Sequence, residues 1–250
     1  MTTHRFPFGE PLAPVPHTGN GHTRIFILGA YSSALHAMWK YGPGPSDRVQ
    51  ALAIANEPRP FWDGSDDIAS IARHTPPFGE LLPTPQNGPS GKVLRMRYLI
   101  PLGIHADRCW ITDVVNTYFS NAQQMAAFRR AFAFKNTKAP AWRLPLRPTR
   151  ITPDAKRAKA LESELREAAP AWLITLGDEP LAALGLGTLS RYDYGQPTRV
   201  RPFGIDTMVI PFTHPRNAGR LGNHSTKWAS THDTWLRSES QRLRRRFTDA

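Results

Sequence analysis

Four short stretches hold most of the side chains able to do chemistry. "CWITDVVNTYF" (109–119) reads as a strand leaving a core, yet carries the carboxylate of Asp113 where the apolar run ends. "GAYSSALH" (29–36) supplies small residues at a strand-to-loop turn, where backbone amides can approach a ligand. "NEPRPFWDG" (56–64) sets two carboxylates, Glu57 and Asp63, beside two aromatics, Phe61 and Trp62. "THPRNAGRLGNHS" (213–225) joins His214 to a Gly-rich loop bearing Arg216 and Arg220. Ionised carboxylates accept hydrogen bonds and can act as bases, rings can stack on a planar ligand, and guanidinium groups suit phosphate. Each group also has a plainer reading. Glu57 could equally be a cap or ion-pair partner, Asp113 the partner of an Arg or His, the aromatics core, and a lone His214 a satisfied structural residue.

These stretches meet only if the elements before them lie side by side. Five apolar runs read as strands: 24–29, 49–55, 109–115, 171–177 and 207–212. They are continuously apolar rather than alternating, as in a sheet buried on both faces. Helical signals lie between them. Residues 121–134 put Met125, Phe128 and Phe132 on one face, and 152–170 offer Thr152 as cap, Pro153 in the first turn, Leu161 and Leu165 on one face and Pro170 as stop. "DEPLAALG" predicts a short helix, and 225–246 a longer one with Trp228, Trp235 and Leu236 inward and Arg242, Arg244, Arg245 and Arg246 outward. The alternation predicts an α/β fold: a three-layer α/β/α sandwich with a central, mostly parallel sheet of four or five strands. In such sheets the ligand site gathers at the carboxyl ends of the strands, where the four stretches begin. Three segments read as loops: a Pro-rich arm over 1–23, the span 76–92, and 136–153. The remainder, 24–250, reads as one domain.

A formal charge of +12 and a pI near 10.4 point to a polyanionic partner, with an acidic membrane surface as the competitor. No run approaches the ~20 apolar residues of a spanning helix, and the start lacks the apolar block of a secretion signal. The expectation is a soluble, cytoplasmic protein associated with the nucleoid. The single cysteine, Cys109, excludes an internal disulfide and a cysteine-built metal cluster, and the nine histidines form no ligand pair of HExxH type. No metal or other cofactor is expected.

Taken in order and spacing, the segments resemble the uracil-DNA glycosylase superfamily: a loop after the first strand, an aromatic segment after the second, "TDVVN" where the family has a "TNVV"-like strand, "WLITLG", and a late "HP" loop, over about 24–235. The resemblance implies the same three-layer fold, a monomer, and hydrolysis of the glycosidic bond of a nucleotide flipped out of DNA. It implies that His214 donates to base O2 as charge develops on the leaving base. Tyr31, Ser33, Phe61 and Trp62 would face the base with Asp113. From the residues themselves, Arg216 and Arg220 would take phosphates with Leu221 as a wedge, although the family's usual wedge position falls nearer Ala218, and Ser225 and Lys227 would hold a phosphate at the start of the last helix.

Three departures shape the expectation. Where the family places a water-activating Asp, Asn or Glu, this chain has Ala30 and Tyr31, so Glu57, and then Asp63, become the candidates for orienting water. Ser33 stands where uracil-specific members close a Tyr against base C5, leaving room there. Asp113 replaces an Asn that reads uracil. A carboxylate repels uracil O4 but accepts from the N4 amine of cytosine, a contact worth roughly 1–3 kcal/mol. The combination predicts a C5-modified cytosine, as found in some phage DNA, and a role in antiviral defence. A uracil-repair enzyme and a non-catalytic DNA-binding module are the alternatives.

Overall fold

The computed structural model describes residues 4–7, 10–20, 23–40, 42–44, 48–65, 80–82, 84–134, 144–221 and 225–248. The side chain of Phe132 and all of Arg143 lie outside that description.

The central sheet contains β1 (Ile25–Tyr31), β5 (Cys109–Val115), β6 (Trp172–Leu176), β7 (Thr198–Val200) and β8 (Thr207–Phe212) in the order β5-β1-β6-β8-β7. Pairings β5–β1, β1–β6 and β6–β8 are parallel, and the short β7 closes the edge antiparallel to β8. Alternate residues feed opposite faces. Ile27, Ile111, Ile174 and Ile210 pack under the helix that starts at Pro89 and under the C-terminal helices. Phe26, Leu28, Trp110, Leu173 and Val209 pack against Leu161, Leu165 and Leu181 of the helices on the other side. Helices thus cover both faces, which is why the strands read as unbroken apolar runs.

The run 49–55 is not part of this sheet. It belongs to β3 (Arg48–Asn56), which pairs antiparallel with β2 (Ala34–Lys40), while β2 also pairs with β4 (Glu80–Leu82). Residues 34–36, expected in a loop, therefore begin a strand. Leu52, Ala53, Ile54 and Ala55 are all buried, with Trp39, Trp62 and Phe128, in a third core. A strand covered on both sides carries no alternation, whatever its partner's direction.

The helices in chain order begin with α1, which starts at Pro89–Val93, passes through a π-turn at Leu94–Leu99 and ends at Ile100–Leu102. It was missed because 76–92 is rich in Pro and Gly. Then come α2 (Ala122–Phe134), α3 (Ala155–Ala168), α4 (Asp178–Ala183), α5 (Pro215–Ala218), α6 (Ser225–Ser238) and α7 (Ser240–Thr248). The cap of α3 is Asp154, whose carboxylate accepts from the Arg157 amide at 2.7 Å, and not Thr152. The long C-terminal helix is two, divided at Glu239.

The N-terminal arm packs into the domain. Phe6 and Val15 are buried, His17 stacks on Trp110 at 4.1 Å, and Thr18 exchanges two backbone hydrogen bonds with Ile111. This covers the outer edge of β5. A Cβ on Gly19 would stand 2.7 Å from the Cys109 carbonyl, so the close approach needs glycine.

Candidate active site at the carboxyl edge of the sheet

The chain leaves β1 for β5 on one side and returns to β6 on the other, so the winding reverses about β1 and leaves a crevice at the carboxyl ends. Asp113 stands there opposite Gly29 in the β1–β5 register, 2% exposed. Its Oδ2 accepts a hydrogen bond from Ser32 Oγ at 3.0 Å. A Cβ on Gly29 would come within 2.2 Å of Asp113 Oδ1 and 2.6 Å of the Phe61 ring, so glycine is what lets these two side chains meet.

Arg157, reaching from α3, does not neutralise this carboxylate. Its guanidinium donates to the carbonyls of Asp113 and Val114 and to Thr112 Oγ1, at 2.6, 3.3 and 2.9 Å, and it pairs with Glu164. Among the described residues no Lys or Arg forms an ion pair with the Asp113 carboxylate. Burial pushes Asp113 up to about 7, with Ser32 and Arg157 opposing and Glu164 assisting.

Glu57 follows β3 and is buried beside Asp113. Burial first, and the neighbouring Asp113 charge second, drive it well above the usual carboxylate range, while the amide and hydroxyl of Ser33 favour its ionised form. Phe61 adopts a φ of 50°, a strained conformation for a residue with a side chain. The first turn of α1 lies against that backbone: a Cβ on Gly91 would be 2.1 Å from the Phe61 carbonyl oxygen. The Phe61 ring centroid is 6.0 Å from that of His214.

His214 opens α5 and accepts from the Arg216 amide through Nδ1 at 3.2 Å. Burial, helped by Arg216 and Arg147, lowers its pKa to about 4. The ring is therefore neutral at pH 7, and with Nδ1 accepting, the proton sits on Nε2, which becomes a donor. The preceding Thr213 is fixed by Tyr98, whose hydroxyl donates to the Thr213 carbonyl at 2.9 Å.

Arg147 also lies at this crevice. Its guanidinium lies 5.1 Å from the Tyr31 ring centroid and 3.7 Å from Glu179. Glu179 and His214 in turn flank Gly177, whose φ is 111°. Arg147, Tyr31, Glu179 and His214 thus form a second wall. No sequence signal marks Arg147, since its partners come from other loops.

Two expected site residues fall outside the group. Trp62 is fully buried in the core beneath β2 and β3, so it is a core residue and not a stacking surface. Asp63 accepts from the amide and hydroxyl of Ser65 at 3.2 and 2.8 Å and faces Arg59 and Arg95. Burial opposes the shift, but Ser65 and Arg59 hold this carboxylate below its usual range, as in a structural turn.

The loop after α5 presents basic groups. Arg216 is exposed and donates to the Leu221 carbonyl at 3.2 Å, and Leu221 is 41% exposed. Arg220, at φ 58°, pairs with Asp233, which also binds Arg97. Lys227 is exposed on α6 with its ammonium 5.9 Å from the Trp228 ring centroid. Ser225 begins α6, and its side chain lies outside the described residues. Among the described residues no helix is long and apolar enough to cross a membrane, and no three His, Cys, Asp or Glu side chains are grouped as metal ligands would be. No protein-family model matches the chain, and no curated protein matches it.

Proposed function

We propose that this protein is a DNA glycosylase, related to the uracil-DNA glycosylases, that hydrolyses the glycosidic bond of a flipped-out cytosine-type base bearing a C5 substituent. The observation that carries the reading is the convergence of Asp113, Glu57, Phe61 and a neutral His214 on one crevice, from three segments spread over more than half of the chain. Phe61 stacks on the extruded base, Asp113 meets its N4 amine, His214 Nε2–H donates to O2 as the bond breaks, and Glu57 orients water. The small Ser32 and Ser33 leave space beside C5. Arg216, Arg220 and Lys227 take phosphates around the crevice.

The role follows from the base. Excision of ordinary cytosine would destroy the host genome, whereas excision of a modified cytosine would attack phage DNA alone. The protein is tested on duplex and single-stranded oligonucleotides containing uracil, cytosine, 5-hydroxymethylcytosine or its glucosylated form, with abasic sites revealed by alkali. Release of a C5-modified cytosine is expected. Preferential release of uracil would move the protein to base repair. The replacement of the family's water-activating residue by Ala30 and Tyr31 favours a second reading, a DNA-binding module without catalysis; DNA binding with no abasic sites on any oligonucleotide would establish it.

A further inference from the structure

The segment that carries His214 rests on polar rings. Tyr98 of α1 is fully buried, yet its hydroxyl donates to the Thr213 carbonyl at 2.9 Å. His232 of α6 is equally buried, its ring centroid 4.2 Å from that of Tyr98 and 5.9 Å from that of Phe212. Its Nε2 sits 2.9 Å from the Arg97 carbonyl, which can only accept, so Nε2 carries the proton. Nδ1 is then a lone pair, and it accepts from the Tyr194 hydroxyl at 2.8 Å. That hydroxyl also acts on the hydroxyl of Tyr98. The sequence explains why the Arg97 carbonyl is open to His232. Four residues on stands Pro101, which has no N–H to close the helical bond, and α1 has its π-turn there.

Phenylalanine would fill both tyrosine sites with more apolar surface, and a polar group left unpaired in a core costs about 1–3 kcal/mol. Here the polar groups are paired, and the pairing ends on Thr213, which is 2% exposed and directly precedes His214. The same two helices hold the far end of the segment. Arg97, next to Tyr98, and Arg220 both pair with Asp233, next to His232. Two adjacent pairs, Arg97–Tyr98 and His232–Asp233, thus fix residues 213–220 at both ends. We propose, resting on the glycosylase reading, that Tyr98, Tyr194 and His232 are positioning residues for the reaction, which hold Thr213 and through it keep His214 Nε2–H directed at O2 of the departing base. Tyr98 and His232, fully buried, act on the base only through His214. A displacement of about 1 Å at such a donor is enough to cost up to 10²-fold in rate.

The test compares Tyr98→Phe and Tyr194→Phe with Tyr192→Phe, which removes a hydroxyl bonded to the Leu186 carbonyl at 2.9 Å on the other face of the sheet. Nitrogen–proton correlation spectra of the His214 ring, assigned with His214→Ala, are recorded beside single-turnover release of the base that the wild type excises fastest. The wild type should show one His214 species with its proton on Nε2. Tyr98→Phe should broaden or split that signal as the Nδ1 tautomer appears, and should slow release at least about tenfold with DNA affinity unchanged. Tyr192→Phe should do neither. With His214→Ala already present, Tyr98→Phe should slow release no further, because its effect passes through that ring. A loss by the same factor in both backgrounds, or unaltered His214 signals in both Tyr98→Phe and Tyr194→Phe, would overturn the positioning role and leave the glycosylase intact. If Tyr98→Phe does not fold, Tyr194→Phe carries both readouts. If the wild type releases no base, the glycosylase reading falls, and the ring spectra alone decide whether these residues hold His214.

Discussion

At the scale of single residues, the neutral state of His214 follows from desolvation, from the positive charges of Arg216 and Arg147, and from the backbone amide bound to Nδ1. His214→Ala should lower turnover by about 10²–10³ while DNA affinity, measured by anisotropy, stays nearly unchanged, as for loss of an oxyanion donor. Asp113 makes a claim on stability as well. Its folded pKa of about 7 lies above the unfolded 3.8, so the folded chain holds this proton more tightly. That contribution is complete below pH 4 and is lost as pH rises through 7. Denaturant titrations should show Asp113→Asn gaining on the wild type from pH 5 to 8, by roughly 2–3 kcal/mol at 1.36 kcal/mol per pKa unit. A constant difference across that range would show that the carboxyl is not strained. Asp113 and His214 were legible because each ends a recognisable run. The hydroxyl of Ser32 was read only as small, because its partner is 81 residues away; Trp62 was misjudged because an aromatic beside a site and an aromatic beneath it look alike in sequence.

Among the elements, the critical join is the pairing of β1 with β5. Gly29→Ala would set a methyl group into Asp113 Oδ1 and the Phe61 ring, and base release should fall at least about tenfold in an otherwise folded protein, as judged by circular dichroism. Arg157 braces the same strand end with side-chain exposure of only 9%, opposite Glu164 at 13%. Arg157→Met leaves a buried carboxylate without its partner and should cost about 3–5 kcal/mol, whereas the double change Arg157→Met/Glu164→Leu should recover most of it. Equal losses in both variants would locate the energy in the backbone contacts instead. Strands β1, β5, β6 and β8 and helices α2 to α4 were foreseen, since their periodicity and caps are local. The transfer of 49–55 to a separate antiparallel sheet was not, because burial on two faces erases the alternation that would have signalled it.

For the whole molecule, the α/β architecture with its mostly parallel sheet was readable from alternating strands and helices, and its reversal of winding put the expected strand ends together. The packing of the N-terminal arm on β5 was not readable, because it rests on a two-bond bridge at Thr18 and isolated contacts such as Phe6 with Tyr118. The charge of +12 makes a further statement: if DNA is the partner, log Kd should rise linearly with log salt, and Arg216→Ala or Arg220→Ala should each reduce that slope by about 0.9 on duplex. In the proposed reading, the carboxyl at the end of β5 decides the base. Initial rates of release should be compared for wild type and Asp113→Asn on paired oligonucleotides that differ only in carrying 5-hydroxymethylcytosine or 5-hydroxymethyluracil. The wild type should favour the cytosine and the variant should reverse or erase that preference by at least about tenfold, the lower end of one base contact; an unchanged ratio would mean that Asp113 does not read the base.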